Sequence, residues 1–354
     1  MADGKREISG MLVPQGQSGA AWNRRKFVKG AAALVGTASV FGYDIGPASA
    51  EPPPEIRKIR LVKFPVICLA PEYLAEEFLR LEGFSEVEYV EIDRNRGQEM
   101  IFANKADVSV ASPAEAIPDM DAGRPSVLLA GIHGGCYELF ANERVHALRD
   151  LRGKRIAVGA IGSPEYYFVA SMLGYVGIDP RKEIDWVLGD SYAGTMQLFV
   201  DGKSDAFLAF PPQPQELRAR KIGKVILNTG LDRPWDQYYC CMISAHTDFV
   251  GKYPVATKRA VRAILKAADV CAAEPERVAR YIVDKGFEER YDFALDVLKS
   301  ISYARWRTHS PEDSLRFYGL RLNEVGLIKT PPEKLIARGT DWRYLNELRK
   351  ELKA

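Results

Sequence analysis

The stretch from Gly153 to Gly177 constrains the fold of this chain more than any other. It opens as a short apolar strand, Arg155 to Val158, and passes through a glycine-rich turn, Gly159 to Gly162. A helix follows, with Ser163 as its N-cap and Pro164 at the first helical position, where the missing N–H costs nothing. Phe168, Val169, Met172, Leu173 and Val176 recur at helical spacing and form its buried stripe. A strand, a glycine turn and a helix N-terminus together present free backbone N–H groups to a small ligand.

The chain repeats this design. Lys58 to Leu79 reads again as strand, loop and helix, and Pro71-Glu72-Tyr73 matches Pro164-Glu165-Tyr166 at an offset of 93 residues. Further on, Ile101-Phe102 leads through Asp107 and an apolar strand to Ser112-Pro113. Leu198-Phe199 leads through Asp205 and an apolar strand to Phe210-Pro211, with the aspartates 98 residues apart. The common order and offset predict two α/β lobes of one design, each offering loops at the carboxyl ends of its strands, where open α/β sheets bind ligands.

A first series of strands is predicted at Ile59–Lys63, Val87–Ile92, Val108–Ala111, Val127–Gly131 and Tyr137–Ala141. A second is predicted at Arg155–Val158, Ile184–Leu188, Ala206–Phe210, Lys224–Leu227 and Tyr238–Ile243. Helices between them imply mainly parallel sheets with covered faces. Ser112-Pro113-Ala114-Glu115 is a capping box that points a second helix start at the same end of the first sheet. Ile132-His133-Gly134-Gly135-Cys136 reads as a loop whose glycines permit close backbone approach or a chain crossing. Beyond Ser244 the pattern is helical, with Ser310-Pro311-Glu312-Asp313 and Thr340-Asp341-Trp342-Arg343 as further helix starts.

The first fifty residues stand apart. Asn23-Arg24-Arg25-Lys26-Phe27-Val28-Lys29 resembles a twin-arginine export signal, followed by a mildly apolar run and by Ala48-Ser49-Ala50, a small-x-small cleavage site. That run is too short and too rich in small residues to span the ~30 Å of a bilayer core. Cleavage after Ala50 and a periplasmic location are the expectation. The five cysteines, 68, 136, 240, 241 and 271, have no zinc-ligand spacing, and buried free thiols are expected. A net charge of +2 argues against nucleic acid as a partner. No P-loop, Gly-x-Gly-x-x-Gly, Gly-x-Ser-x-Gly or His-Glu-x-x-His occurs, and four histidines leave little for proton-transfer or metal chemistry. No catalytic residue, cofactor or metal is expected.

Taken together, Ile59 to Glu77, Gly97 to Ala116, Leu148 to Gly177, Asp205 to Pro214 and Phe249-Val250-Gly251-Lys252-Tyr253-Pro254 resemble the solute-binding proteins of ABC importers. The branch is the one that serves uptake of nitrate, sulfonates, taurine and thiamine precursors. The resemblance implies an α/β architecture of two Rossmann-like lobes joined by a two-strand hinge, the type II periplasmic binding fold. Its boundaries would be a signal peptide at 1–50, lobe 1 at 57–140 and 242–310, lobe 2 at 141–241, and a helical C-terminal extension at 311–354. The crossings would fall near Leu139–Asn142 and Tyr239–Ser244. Carried over by position, the pocket would use Pro65 and Val66 beside Phe64, Ser112, His133, Gly134, Gly135, Gly162, Ser163, Tyr166, Phe210, Pro211 and Gln213. Arg94 and Arg96 are the nearest basic groups for an anion, Glu115 and Glu165 would oppose one, and Tyr73, Tyr166, Tyr167, Phe210, Trp235 and Tyr238 could form an aromatic wall. The implied partners are a small organic ligand and a membrane permease, and the implied state is a monomer. Two alternatives stay open. One is an enzyme like the fungal pyrimidine-precursor synthases, whose cysteine-rich iron-binding motif Tyr239-Cys240-Cys241-Met242 resembles faintly, with two cysteines where that motif has more. The other is a ligand-sensing subunit of a membrane receptor.

Overall fold

Arg60 and Arg155 show that the repeat in the sequence is a repeat in the structure. In a computed structural model, which describes residues 51–64, 66–92 and 97–353, the Arg60 backbone N–H donates to Asp107 Oδ2 at 2.8 Å and its Nη2 donates to Oδ1 at 2.6 Å. Arg155 does the same to Asp205, at 3.1 Å from the backbone and 3.2 Å from Nη2. Burial opposes ionisation of Asp205, but the hydrogen bonds from Arg155 outweigh it and hold the carboxyl below its ordinary value. Each aspartate thus fastens the first strand of its lobe to the start of the third. The expected export signal, Met1 to Ala50, lies outside the described residues, as do Pro65, Arg94 and Arg96.

The strands are β1 (Lys58–Lys63), β2 (Glu86–Glu91), β3 (Val108–Ala111), β4 (Ser126–Gly134), β5 (Glu138–Ala141), β6 (Arg155–Val158), β7 (Asp185–Leu188), β8 (Ala206–Ala209), β9 (Lys224–Asn228) and β10 (Tyr239–His246). The helices of the two lobes are α1 (Ala70–Leu81), α2 (Gly97–Phe102), α3 (Pro113–Asp121), α4 (Pro164–Tyr175), α5 (Tyr192–Val200) and α6 (Gln213–Arg220). After β10 come α7 (Thr247–Lys252), α8 (Pro254–Ala273), α9 (Pro275–Asp284), α10 (Tyr291–Ser300), α11 (Pro311–Glu324), α12 (Pro332–Gly339) and α13 (Arg343–Glu351).

The strands form two five-stranded sheets, ordered β2-β1-β3-β10-β4 and β7-β6-β8-β5-β9. Two strands sit in the opposite sheet from the series in which the sequence places them. The run predicted as Tyr137–Ala141 becomes β5 of the second sheet, antiparallel to β8 and β9, and the run predicted as Tyr238–Ile243 becomes β10 of the first, antiparallel to β3 and β4. A strand arriving from the other lobe enters against the direction of the parallel strands, so both sheets are mixed, not mainly parallel. The crossings therefore lie at 135–137 and 229–238, before the positions Leu139–Asn142 and Tyr239–Ser244 expected from resemblance. Those positions lie inside β5, at its C-terminal edge and inside β10.

α8 packs against α1 and supplies a fully buried apolar face that includes Val261, Ile264, Leu265 and Ala268. α11 packs against both α3 of the first lobe and α4 of the second. Its Tyr318 is buried with its ring edge-on to Phe168 at 5.1 Å, and the backbone oxygen of Arg321 would meet a Cβ on Gly174 at 3.1 Å. Among the described residues no helix is long and apolar enough to cross a membrane.

Candidate ligand-binding site

Three helix starts converge where the two sheets face each other. Ser112, Ser163 and Ser191 each turn a hydroxyl onto the third residue ahead, accepting from the N–H of Glu115 at 3.1 Å, Tyr166 at 3.3 Å and Gly194 at 3.0 Å. Each serine thus satisfies one of the free N–H groups of its own helix. The cleft between them has two connected parts. The outer chamber, about 380 Å³, is lined by Gly159 to Pro164, Tyr167 and Gly189 to Ser191 on one side and by Gln98, Glu99, Phe102, Glu115, Asp119 and Arg124 on the other. The inner chamber, about 50 Å³, is lined by Phe64, Val66, Cys68, Leu69, Val110, Ser112, Tyr137, Tyr192, Phe210 and Cys241, with Glu115, Pro164 and Glu165 at its rim.

The outer chamber is acidic. Glu99, Glu115, Asp119 and Asp190 all face it, and none makes an ion pair within 4.0 Å with a described residue. Burial pushes the Asp119 carboxyl up to about 7; the Arg124 charge opposes the rise and the Glu99 charge adds to it. Burial, and then the charge of Asp119, raise Glu115 well above the usual carboxylate range. Glu165, expected to oppose an anion, instead accepts the Gly159 N–H at 2.8 Å and pins the glycine turn after β6. The inner chamber is aromatic. Tyr192 stands edge-on to Phe210 at 4.6 Å, and Tyr137 stands edge-on to the same ring at 5.9 Å.

Of the residues proposed from sequence, Val66, Ser112, Gly162, Ser163 and Phe210 line the cleft. Pro65 lies outside the described residues. His133 and Gly134 are not in a loop: both belong to β4 and are buried. Gly135 packs against the second crossing. The Pro211 carbonyl accepts the Ile67 N–H at 3.4 Å across the cleft. Gln213 is buried and holds its own lobe together, donating to the Tyr192 carbonyl at 2.8 Å. Tyr166 does not face the ligand space. It is 4 % exposed, with its ring 4.8 Å from that of Trp186, and its neighbour Tyr167 lines the outer chamber instead. Other members of the expected aromatic wall are spent on packing: Tyr73 stacks on Phe287 at 3.9 Å and Tyr238 on Phe317 at 4.2 Å, while Trp235 stands edge-on to Tyr175 at 5.0 Å.

A family model described as NMT1/THI5 like matches residues 70–278, more than half of the chain. The chain belongs to the NMT1/THI5-like family. Its fold is shared with solved periplasmic binding proteins. The nitrate-binding protein NrtA from Synechocystis PCC 6803 superposes with a TM-score of 0.71 at 15% identity, over 85% of this chain and 90% of that one. The alkanesulfonate-binding protein SsuA from Xanthomonas axonopodis pv. citri, bound to MOPS, gives 0.67 at 14% identity over 83% and 100% of the two chains. The aliphatic sulphonate binding protein SsuA from Escherichia coli gives 0.61 at 15% identity over 82% and 99%. No curated protein matches the sequence.

Within this NMT1/THI5-like fold, sequence reasoning missed Asp119, Asp190, Tyr137 and Tyr192. Asp119 lies one helical turn beyond Glu115, so a cap signal extended by four residues would have found it. The cysteines depart most from expectation. Although the five cysteines have no zinc-ligand spacing among themselves, Cys68, Cys136 and Cys241 gather around His133, all four buried.

Proposed function

We propose that this chain is an extracytoplasmic solute-binding protein. It captures a small organic cation, or a neutral heterocycle rich in N–H donors such as an aminopyrimidine, between its lobes. It delivers the ligand unchanged to the permease of an ABC importer. The observation that carries the ligand class is the ring of four carboxylates, Glu99, Glu115, Asp119 and Asp190, on the outer chamber above an aromatic inner one. Three serine caps and Glu165 already occupy N–H donors that an anion would seek. Nitrate and sulfonates, named for the binding proteins of similar fold, would meet four carboxyl groups here against the single cation of Arg124 among the described lining residues. Family membership and the two-sheet architecture with two crossings support capture by closure. Export through the arginine signal, cleavage after Ala50 and a monomeric state belong to the same proposal. So do lobes at 57–140 with 242–310 and at 141–241, and the helical extension at 311–354.

The test is titration calorimetry of the purified protein with matched panels of aminopyrimidines and aliphatic amines, and of nitrate, sulfonates and taurine. Binding by the first panel, with ligand recovered unchanged, is the expected result. At a hundredfold excess over its dissociation constant the ligand adds about 2.7 kcal/mol of stability. Tighter binding of nitrate or a sulfonate than of any cation would overturn the ligand class, and consumption of the ligand would overturn the binding role.

A further inference from the structure

Four side chains from three separate stretches of the chain converge beneath the inner chamber. Cys68 precedes α1, His133 lies on β4, Cys136 lies in the first crossing and Cys241 lies on β10. One donor atom from each lies within 4.8 Å of every other, and all four residues are buried. In a tetrahedral site with zinc–sulfur bonds of about 2.3 Å, ligand atoms stand ~3.8 Å apart. Side-chain adjustments of about 1 Å therefore suffice to close the set around one ion.

The histidine is already oriented for ligation. Its Nδ1 lies 2.6 Å from the Gly134 carbonyl oxygen, which can only accept, so the imidazole proton sits on Nδ1. Nε2, which carries the lone pair in the neutral imidazole, is buried with no hydrogen-bond partner among the described residues. Metal-bound histidines are held in this way, with the far ring nitrogen donating to a carbonyl or carboxylate. Tyr303 braces the arrangement: its ring stands edge-on to His133 at 5.4 Å, and its hydroxyl donates to the Cys68 carbonyl at 3.1 Å. Glu72, one helical turn past Cys68, also has both side-chain oxygens buried without a partner among the described residues. The orphaned Nε2 among three thiols is the observation that points to an ion.

We propose that Cys68, His133, Cys136 and Cys241 bind one divalent zinc-class ion as a Cys₃His site. On binding, the three cysteines ligate as thiolates and His133 as the neutral imidazole, the protons they give up pass to solvent, and no electron moves. Four protein ligands close the coordination sphere, so the ion is structural and not catalytic. Cys136 lies in the first crossing and Cys241 follows the second by a few residues, so the ion clips the two hinge segments to each other and to the segment ahead of α1. The inference does not rest on the ligand class proposed above, because it is argued from the four donors alone, although Cys68 and Cys241 also line the inner chamber.

The test uses the full chain in reducing buffer, since Cys240 Sγ lies 2.9 Å from Cys136 Sγ and an oxidised pair would withdraw a ligand. The chain is stripped of metal and titrated with cobalt(II) and then zinc(II). We expect one ion per chain by elemental analysis, thiolate-to-cobalt charge-transfer bands with the intense visible bands of a tetrahedral centre, and displacement of cobalt by zinc. Cys68→Ser and Cys241→Ser should each weaken zinc binding at least a hundredfold, whereas Cys271→Ser on α8, outside the cluster, should leave it unchanged. If a serine variant fails to fold, the wild-type cobalt spectrum decides alone: thiolate charge transfer supports the site and its absence overturns it. Binding that survives the loss of both Cys68 and Cys241 also overturns it.

Discussion

Gly135 and Thr229 touch backbone to backbone where the chain passes twice between its lobes. A Cβ on Gly135 would stand 2.1 Å from the Thr229 carbonyl oxygen and 2.2 Å from its carbon. Two residues on, Tyr137 N–H donates to Thr229 Oγ1 and the Thr229 N–H donates to the Tyr137 carbonyl, each at 2.9 Å. The two crossings are thus laced into one ribbon, and the glycine is there because nothing larger fits.

Gly135→Ala should therefore destabilise the protein by overpacking, at about 1–3 kcal/mol, because the atoms it meets are backbone and cannot swing away. Urea unfolding should show a lower midpoint at unchanged slope. An unshifted midpoint would mean that the crossings separate freely.

Tyr166 and Tyr167 are neighbours with opposite duties. Tyr166→Ala should cost ~3–5 kcal/mol of stability, as a deleted core aromatic does, with ligand affinity intact. Tyr167→Ala should weaken binding at least tenfold, about 1.4 kcal/mol, with little effect on the melting temperature of the free protein. Parallel calorimetry and thermal unfolding separate the two, and an exchange of these outcomes would move the ligand to the other side of α4.

The outer chamber should make stability depend on pH. Burial raises the Asp119 carboxyl to about 7 in the folded chain from an ordinary value of 3.8. Between those values the folded state holds a proton that the unfolded state has released, so stability falls as pH rises through that window. Asp119→Asn should flatten this fall, matching wild type near pH 4 and exceeding it at pH 8. A cationic ligand favours the ionised carboxyl, so wild-type affinity for it should climb as pH rises through about 7 and be lost in the asparagine variant. Denaturation midpoints and titrations across that range check both. A pH-independent wild-type stability would place Asp119 in water.

Much of this was legible from residues alone, where the signal is local. Ser112 and Ser163 cap the helices their Ser-Pro starts announce, and the repeated aspartates do the same work in each lobe. Sheet membership was not legible. β5 and β10 read as ordinary apolar strands, and alternation of side chains says nothing about which sheet receives a strand. Tyr166 failed for a related reason: it is off the stripe of α4, but Trp186 of β7 covers it, and a covering neighbour leaves no trace at the position covered. The cysteine cluster was not legible because its members come from three separate segments, and His133 with Cys136 is a single short pair that does not show which distant thiols join it.

The placement of α11 changes how the two lobes can part. A protein built on two crossings alone would open like a clamshell. Here a single helix lies across the backs of α3 and α4, the two helices whose starts face the ligand. Opening the front must drag one of these helices along α11 or carry α11 away with the other. On the proposed closure the motion would be a slide on a rail, and release of a ligand would depend on how easily Phe168 moves over Tyr318.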